Sequence, residues 1–294
     1  MTGTNGLLGQ KLIFLFSNKE EIEVIATGRG PSRITFNNVK YLDINLTRRH
    51  EVFSAILKER PTHIIHAAAM TQVDICETEK EECWKNNVLA SENLIEVAEE
   101  LDSYFQYIST DFIFDGNGGP YNEGDKPNPI NFYGKSKHMV EQLLAISGLD
   151  YSIVRTVLVY GVGQDLSRSN IVLWVKNKLE KNEPIRVVND QWRNPTLVED
   201  LASGCAMILR RNAQGIYHVS GQEYLTPYDI ALTTADIFEL DKNLISPTNA
   251  SEFKEVATRP LKTGFDISKI QNEFGFRPFS LENGLAIVKE QLVN

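Results

Sequence analysis

The chain has 294 residues, 42% of them hydrophobic and 23% charged, with a formal net charge of -9. That is enough chain to bury the core of one large domain or two, and the acidic balance argues against a nucleic-acid partner while leaving room for a nucleotide-sized ligand held by local positive charge. No apolar run reaches the ~18 residues of a membrane span and no export signal is visible, so a cytoplasmic protein without a membrane partner is expected.

In chain order, residues 2–10 read TGTNGLLGQ, with Gly3, Gly6 and Gly9 spaced GxxGxxG. Such glycines permit a tight turn and close backbone approach to a pyrophosphate, with the N-terminus of the following helix aimed at it. Leu8, Leu12, Ile13 and Phe16 give that helix an apolar side. The first strand of a dinucleotide fold should precede this turn, yet only Met1 and Thr2 do, so that strand is expected to be missing. Ile22 to Ala26 reads as a strand ending in TGRGPSR, with Arg29 and Arg33 and no acid at its tip. An acid there would bind a ribose 2′-hydroxyl, whereas arginines pair with a 2′-phosphate. Val39 to Ile44 is a short strand whose Asp43 faces a possible adenine edge, Thr47 to Lys58 a helix, and Thr62 to Ala67 a strand. The small residues Ala67, Ala68 and Ala69 that follow leave room for a flat ligand, and His63 and His66 read as structural.

Glu77 to Leu101 carries the pattern of one long amphipathic helix with Trp84, Val88, Leu94, Ile95 and Ala98 inward. Asn87 interrupts its apolar face; a buried amide must be hydrogen-bonded, so it supports a site or caps a kink. The three cysteines, Cys76, Cys83 and Cys205, lack metal spacing and read as reduced, partly buried thiols; no metal is expected. Phe105 to Ser109 and Tyr151 to Arg155 are further strands, on either side of a helix that begins near Tyr133. Strands separated by helices or crossover-length connections predict an α/β fold, a mostly parallel sheet covered on both faces, with Gly3–Gly9, 67–71, 109–111 and 157–160 along one edge. The remainder reads as helices from Ser169, Leu197 or Val198, Pro227, Ser268 and Leu281, with short strands at 185–188 and 215–219. The expected division is a dinucleotide-binding domain over 1–160 with returns near 187–219, and a smaller, discontinuous substrate lobe over 161–294.

The chemistry concentrates in 107–144. Tyr133 and Lys137 stand four residues apart on one helix face, after a strand closing in Ser109 and Thr110. A phenol titrates near ~10, but a neighbouring ammonium and a cationic nicotinamide favour its phenolate, which lets it exchange a proton with a carbonyl oxygen while hydride moves at carbon. Thr110 would hydrogen-bond the same oxygen, and Lys137 the nicotinamide ribose.

On TGTNGLLGQ, HAAAMTQVDICE at 66–77, NNV at 86–88, ISTDFIFDG at 108–116, NFYGKSKHMVEQ at 131–142, RTVLVYG at 155–161, VVNDQWRNPTLVEDLA at 187–202 and RPLKTGFDISKI at 259–270, the chain resembles the extended short-chain dehydrogenase/reductases, and among them the dTDP-4-dehydrorhamnose reductases. The resemblance implies a Rossmann-like doubly wound sheet with a C-terminal substrate lobe, and reduction of a 4-keto group on a nucleotide-linked deoxysugar. It implies NADP(H) as preferred cofactor with NAD(H) possible, a nucleotide-sugar substrate and a possible homodimer. Carried over, Thr110, Tyr133 and Lys137 are the catalytic group. Gly3, Gly6, Leu7, Leu8, Gly9, Arg29, Arg33, Asp43, Ile44, Ala67, Ala68, Ala69, Asn87, Tyr133, Lys137 and Val157 face the cofactor. Asp111, Phe112, Arg193 and Arg259 fall on the substrate side. The regulatory beta subunit of methionine adenosyltransferase resembles the same family, so a weakly catalytic NADP-binding partner protein is the alternative, and another sugar-nucleotide epimerase or reductase a third. Departures are Trp192 and Arg193 before Asn194–Pro195, and Lys262 and Gly264 in the 259–266 run.

Overall fold

A computed structural model describes residues 1–36, 38–166, 169–253 and 255–293. The strands are β1 (Val24–Gly28), β2 (Val39–Asp43), β3 (His63–His66), β4 (Tyr104–Thr110), β5 (Tyr151–Thr156), β6 (Val159–Tyr160), β7 (Ile185–Val188), β8 (Thr196–Leu197), β9 (Gly215–His218) and β10 (Ile245–Thr248). The helices are α1 (Leu7–Ser17), α2 (Arg49–Glu59), α3 (Val73–Thr78), α4 (Lys80–Trp84), α5 (Ala90–Leu101), α6 (Phe132–Ile146), α7 (Ile171–Glu180), α8 (Val198–Leu209), α9 (Pro227–Ile237), α10 (Ser268–Phe274) and α11 (Leu281–Val293).

The main sheet is parallel. β2 pairs with β1, and β3, β4, β5 and β9 pair in that order. Thr2 joins the two halves. It bridges in parallel to Thr27 of β1 and to His66 of β3, donating its N–H to Ile65 O at 2.9 Å, while Thr27 N donates to Met1 O at 2.8 Å. The slot expected to be empty therefore holds Met1 and Thr2, and these two residues meet the ladder groups of both neighbours where they are needed to carry the sheet across. Among the described residues no helix is long and apolar enough to cross a membrane.

Because side chains alternate along a strand, adjacent residues serve opposite layers. Ile64 and Ile153 join α2, α5 and α6 through Val52, Ile56, Leu94, Val140 and Leu144. Ile65 and Val154 join α1, α8 and α10 through Leu12, Ile13, Leu201 and Ile270. Each fully buried aliphatic side chain contributes about 1.5–3 kcal/mol relative to its exposed state. Beyond the sheet, β7 and β10 pair in parallel and pack with α7 and α9 around Val175, Ile185, Ala231 and Ile245. β6 and β8 form a second short parallel pair. α9 opens on Thr226 with a full capping box to Asp229 and Pro227 in its first turn.

Two expectations need correction. The long helix over Glu77–Leu101 is broken into α3, α4, a π-helical turn at Lys85–Leu89, and α5. Trp84 consequently points outward, 41% exposed, beside Phe132 rather than into the core. The extra residue in a π-turn rotates what precedes it relative to α5, so a single 3.6-residue periodicity cannot describe both sides. The pair β6–β8 and strand β10 were not anticipated; they are two to four residues long, too short for alternation to mark them.

Candidate active site

The glycine turn packs against the loop after β3. A Cβ on Gly9 would stand 2.4 Å from Gly3 O, so only glycine lets α1 start this close to the turn that precedes it. Together they floor a cleft of about 530 Å³. Gly3, Gly6, Arg29, Arg33, Ile44, Ala67, Ala68 and Ala69 line it. Leu7, Leu8 and Gly9 form the first turn of α1 behind them, whose unpaired backbone N–H groups and positive dipole suit a phosphate. Asn5 organises the opposite wall: its Oδ1 accepts the Arg33 N–H at 2.9 Å, and its Nδ2 donates to Pro31 O and Tyr41 Oη at 3.1 and 3.2 Å. Asp43 shapes the same loop, accepting Gly30 N–H at 2.8 Å. Arg29 and Arg33 are both exposed at the cleft, Arg33 donating to the Asp165 carbonyl at 2.7 Å. Gly9→Ala is expected to abolish nucleotide binding and to lower thermal stability, because its Cβ meets backbone that cannot rotate aside; unchanged NADPH titration and melting would refute this placement.

The reactive side chains sit where β4 ends and α6 begins. Asn131 caps α6, accepting Gly134 N–H at 2.9 Å, and Glu77 accepts Phe132 N–H at 2.9 Å. A Cβ on Gly134 would lie 2.0 Å from Phe112 O; glycine there brings the helix against the turn that follows Thr110. Tyr133 and Lys137 are buried on one face of α6, Tyr133 edge-on to Phe112 with ring centroids 5.8 Å apart. The Lys137 ammonium lies 4.1 Å above the Tyr107 ring. Burial pushes Lys137 down to about 7, against the opposing pull of Glu141, Cys83 and Cys76. Thr110 is buried, donating to Asp111 Oδ1 at 3.1 Å and accepting Phe112 N–H at 3.2 Å.

Below this group run two polar networks. In the first, Asn87 lies on the π-turn rather than in the cleft. Its Oδ1 accepts Met70 N–H at 2.7 Å, and its Nδ2 donates to Met70 O at 3.0 Å and to Ser136 Oγ at 2.9 Å, tying the 67–72 loop to α6. Ser136 in turn donates to Tyr133 O at 2.7 Å. His66 extends the chain, bonded to Thr2 Oγ1 and Ser91 Oγ at 2.7 and 2.8 Å and pushed by burial down to about 3, hence neutral. The second network is a buried ion pair that the sequence reading missed. Arg155 of β5 donates to both Glu141 oxygens at 3.0 and 2.7 Å, and Ser109 donates to Glu141 Oε1 at 2.5 Å. Burial alone would raise Glu141, but His138, the guanidinium and the hydroxyl outweigh it and hold the carboxyl at about 2. The signal in sequence was Glu141 four residues after Lys137, on the inward face of the same helix.

The four residues assigned to the substrate side make protein contacts. Asp111 is buried and pushed up by desolvation; it accepts from Thr263 and lies 3.6 Å from Arg193 Nε. Arg193 also donates to the carbonyls of Trp192, Leu261 and Pro260 at 2.8, 2.9 and 2.5 Å, clamping the C-terminal segment onto the end of β4. Phe112 lies under the Arg193 guanidinium, 5.9 Å from its ring centroid. Arg259 is held by Asp74 at 2.8 Å and Glu255 at 3.0 Å. Val157 is buried in the core under the strand edge, its carbonyl accepting from Thr196 at 2.6 Å.

With this geometry in view, the likenesses to known proteins fall into place. The chain is 32% identical over 277 residues to methionine adenosyltransferase 2 subunit beta of Xenopus laevis, covering 92% of this chain and 80% of the relative. A dTDP-4-dehydrorhamnose reductase from Clostridium acetobutylicum superposes with a TM-score of 0.87 at 25% identity, covering all of this chain and 98% of that one. The dTDP-4-dehydrorhamnose reductase of Bacillus anthracis, solved in complex with NADP, superposes with a TM-score of 0.85 at 29% identity, covering 99% and 97% of the two chains. Residues 1–293 match the family described as the RmlD substrate binding domain, and the chain belongs to that family.

Proposed function

We propose that the protein is an NADPH-dependent reductase acting on the 4-keto group of a nucleotide-linked deoxysugar. The observation that supports this reading is that Thr110, Tyr133 and Lys137 lie buried together at the junction of β4 and α6, while the glycine-turn cleft, lined by other residues, opens after β3, the parallel neighbour of β4. A nicotinamide cofactor, its phosphates held at Gly3, Gly6 and Gly9, would supply the hydride. Tyr133 donates the proton to the carbonyl oxygen, the Thr110 hydroxyl hydrogen-bonds that oxygen, and the Lys137 ammonium favours the phenolate left behind. The cleft fits the cofactor by its donor set: free N–H groups at the start of α1, and two arginines on the far wall.

Replacing Arg29 and Arg33 together by serine is expected to weaken NADPH binding about 10–100-fold, the loss of charge-assisted hydrogen bonds to a 2′-phosphate, with little change for NADH. Equal losses for both cofactors, by fluorescence titration, would remove the arginines from this role. The reaction itself is tested by mixing the protein with NADPH and dTDP- or UDP-linked 4-keto-6-deoxysugars and following absorbance loss. Turnover with one of them supports the assignment; none with any of them overturns it.

A second reading is a cofactor-binding regulatory subunit. It is favoured by the 32% identity to a relative named as a subunit of another enzyme, and by Arg193 and Arg259, whose donors are already engaged within the chain. Absence of turnover together with retained NADPH binding and stable capture of a purified methionine adenosyltransferase catalytic subunit would favour it.

A further inference from the structure

Asp111 follows Thr110 at the end of β4, and its two carboxylate oxygens serve different parts of the chain. Oδ1 accepts the Thr110 hydroxyl at 3.1 Å. Oδ2 accepts the Thr263 hydroxyl and lies 3.6 Å from Arg193 Nε. Asp111, Arg193 and Thr263 are 2%, 4% and 0% exposed, so bulk water does not compete for these bonds. Arg193 and Thr263 move as one unit, because Thr263 N donates to Trp192 O at 3.2 Å and Trp192 N to Leu261 O at 2.6 Å. The Arg193 guanidinium also lies over Phe112, which packs edge-on against Tyr133. One buried carboxylate thus stands between the reactive hydroxyl and a segment about 150 positions further along the chain.

We propose that Asp111 is a positioning residue that frees the Thr110 hydroxyl for substrate only while Thr263 and Arg193 are docked on it, so that the 259–265 segment completes the reactive group. The Thr110 oxygen carries one proton and two lone pairs. One lone pair takes the Phe112 N–H at 3.2 Å, and the proton goes to Asp111 Oδ1. A substrate carbonyl oxygen is an acceptor, so Thr110 can serve it only by turning that proton away from Asp111.

The cost of that turn depends on how well the carboxylate is satisfied without Thr110. A buried acid left short of donors holds the remaining ones more tightly. Thr263 and Arg193 supply what Thr110 would take away, and both oppose the rise that burial imposes on Asp111. With them docked, Asp111 gives up the Thr110 proton at little cost. With them withdrawn, Thr110 is the only side-chain donor left to Asp111 among the described residues, and its proton stays there. The effect on turnover rests on the reductase reading; the coupling of the 259–265 segment to the Thr110 hydroxyl does not.

The test uses the full chain and Thr263→Val, which keeps the shape of the side chain and removes its one donor, with Thr263→Ser as the variant that restores it. NADPH affinity is expected to stay within about twofold, since Thr263 does not line the cofactor cleft. For a 4-keto sugar, kcat is expected to fall about tenfold in Thr263→Val with KM nearly unchanged, and to recover in Thr263→Ser. In a Thr110→Val background, Thr263→Val is expected to cost less than about twofold more, because the hydroxyl that Asp111 acts through is gone. Undiminished kcat, or equal losses in both backgrounds, overturns the positioning role. Amide hydrogen exchange needs no substrate. The Phe112 N–H rests on the Thr110 oxygen and the Thr263 N–H on Trp192 O, so peptides spanning 110–114 and 259–265 are both expected to exchange about tenfold faster in Thr263→Val. Faster exchange confined to 259–265, or none in either peptide, overturns the coupling. If the unsubstituted chain turns over no 4-keto sugar, the reductase reading fails, and the exchange rates still decide the coupling.

Discussion

Tyr133→Phe is expected to lower turnover by about 10²–10⁴-fold, the usual contribution of a positioned general acid, while leaving NADPH affinity within about threefold. The substitution removes one hydroxyl from a ring whose edge-on packing against Phe112 is retained. Single-turnover oxidation of NADPH separates the outcomes. A slow chemical step with normal binding supports proton delivery by the phenol. Retained turnover would place the proton donor elsewhere, with Asp111, kept more easily protonated by its burial, as the next group to test. The companion change Lys137→Met removes a cation that burial has already brought down to about 7. Its expected signature is a change in the pH profile of turnover near neutrality, where the native ammonium loses its proton.

Arg155→Met is expected to destabilise the fold by about 3–5 kcal/mol, since it strands the Glu141 carboxylate in the core without its partner. Both side chains are essentially inaccessible, at 2% and 4% exposure, so water cannot replace the lost guanidinium. Changing both together, Arg155→Met with Glu141→Leu, should recover most of that loss, because two apolar side chains of similar bulk leave no uncompensated charge. Urea unfolding of the single and double variants measures the difference; equal losses in both would show that packing rather than charge dominates.

The same pair sets an acid limit. Glu141 is held at about 2 in the folded chain against 4.5 for a free carboxyl, so its stabilisation is complete above about 4.5 and is lost as pH falls through about 2. Arg155→Met should therefore remove part of the acid dependence of unfolding in that window.

Much of the site was legible in sequence because its signals are local. The glycine spacing, the alanines after β3, the Ser-Thr at the end of β4 and the four-residue offset of Tyr133 and Lys137 each need only neighbours in the chain to be read. Helix boundaries with strong caps were equally clear, α9 after Thr226 and α10 ending at Gly275, whereas α8, which lacks a side-chain cap, was placed only to Leu197 or Val198. Asn87 was legible as a buried amide but not as to role, since the chain alone does not say whether its partners are ligand or loop.

What the sequence determined by itself was the succession of strands and helices, the parallel sheet they require, and the residue types of the reactive group, because propensity, periodicity and capping act over a few residues. Tertiary structure alone decided the rest. It placed Thr2 between β1 and β3, turned Trp84 outward at the π-turn, joined Glu141 to Arg155, and brought Cys76 and Cys83 into one apolar cluster with Tyr133. It also engaged Arg193 and Arg259 with protein acids and carbonyls where the linear reading had left them free for substrate. Those are contacts between segments distant in the chain or rotated by one irregular turn, and their energies depend on burial, which no local pattern encodes.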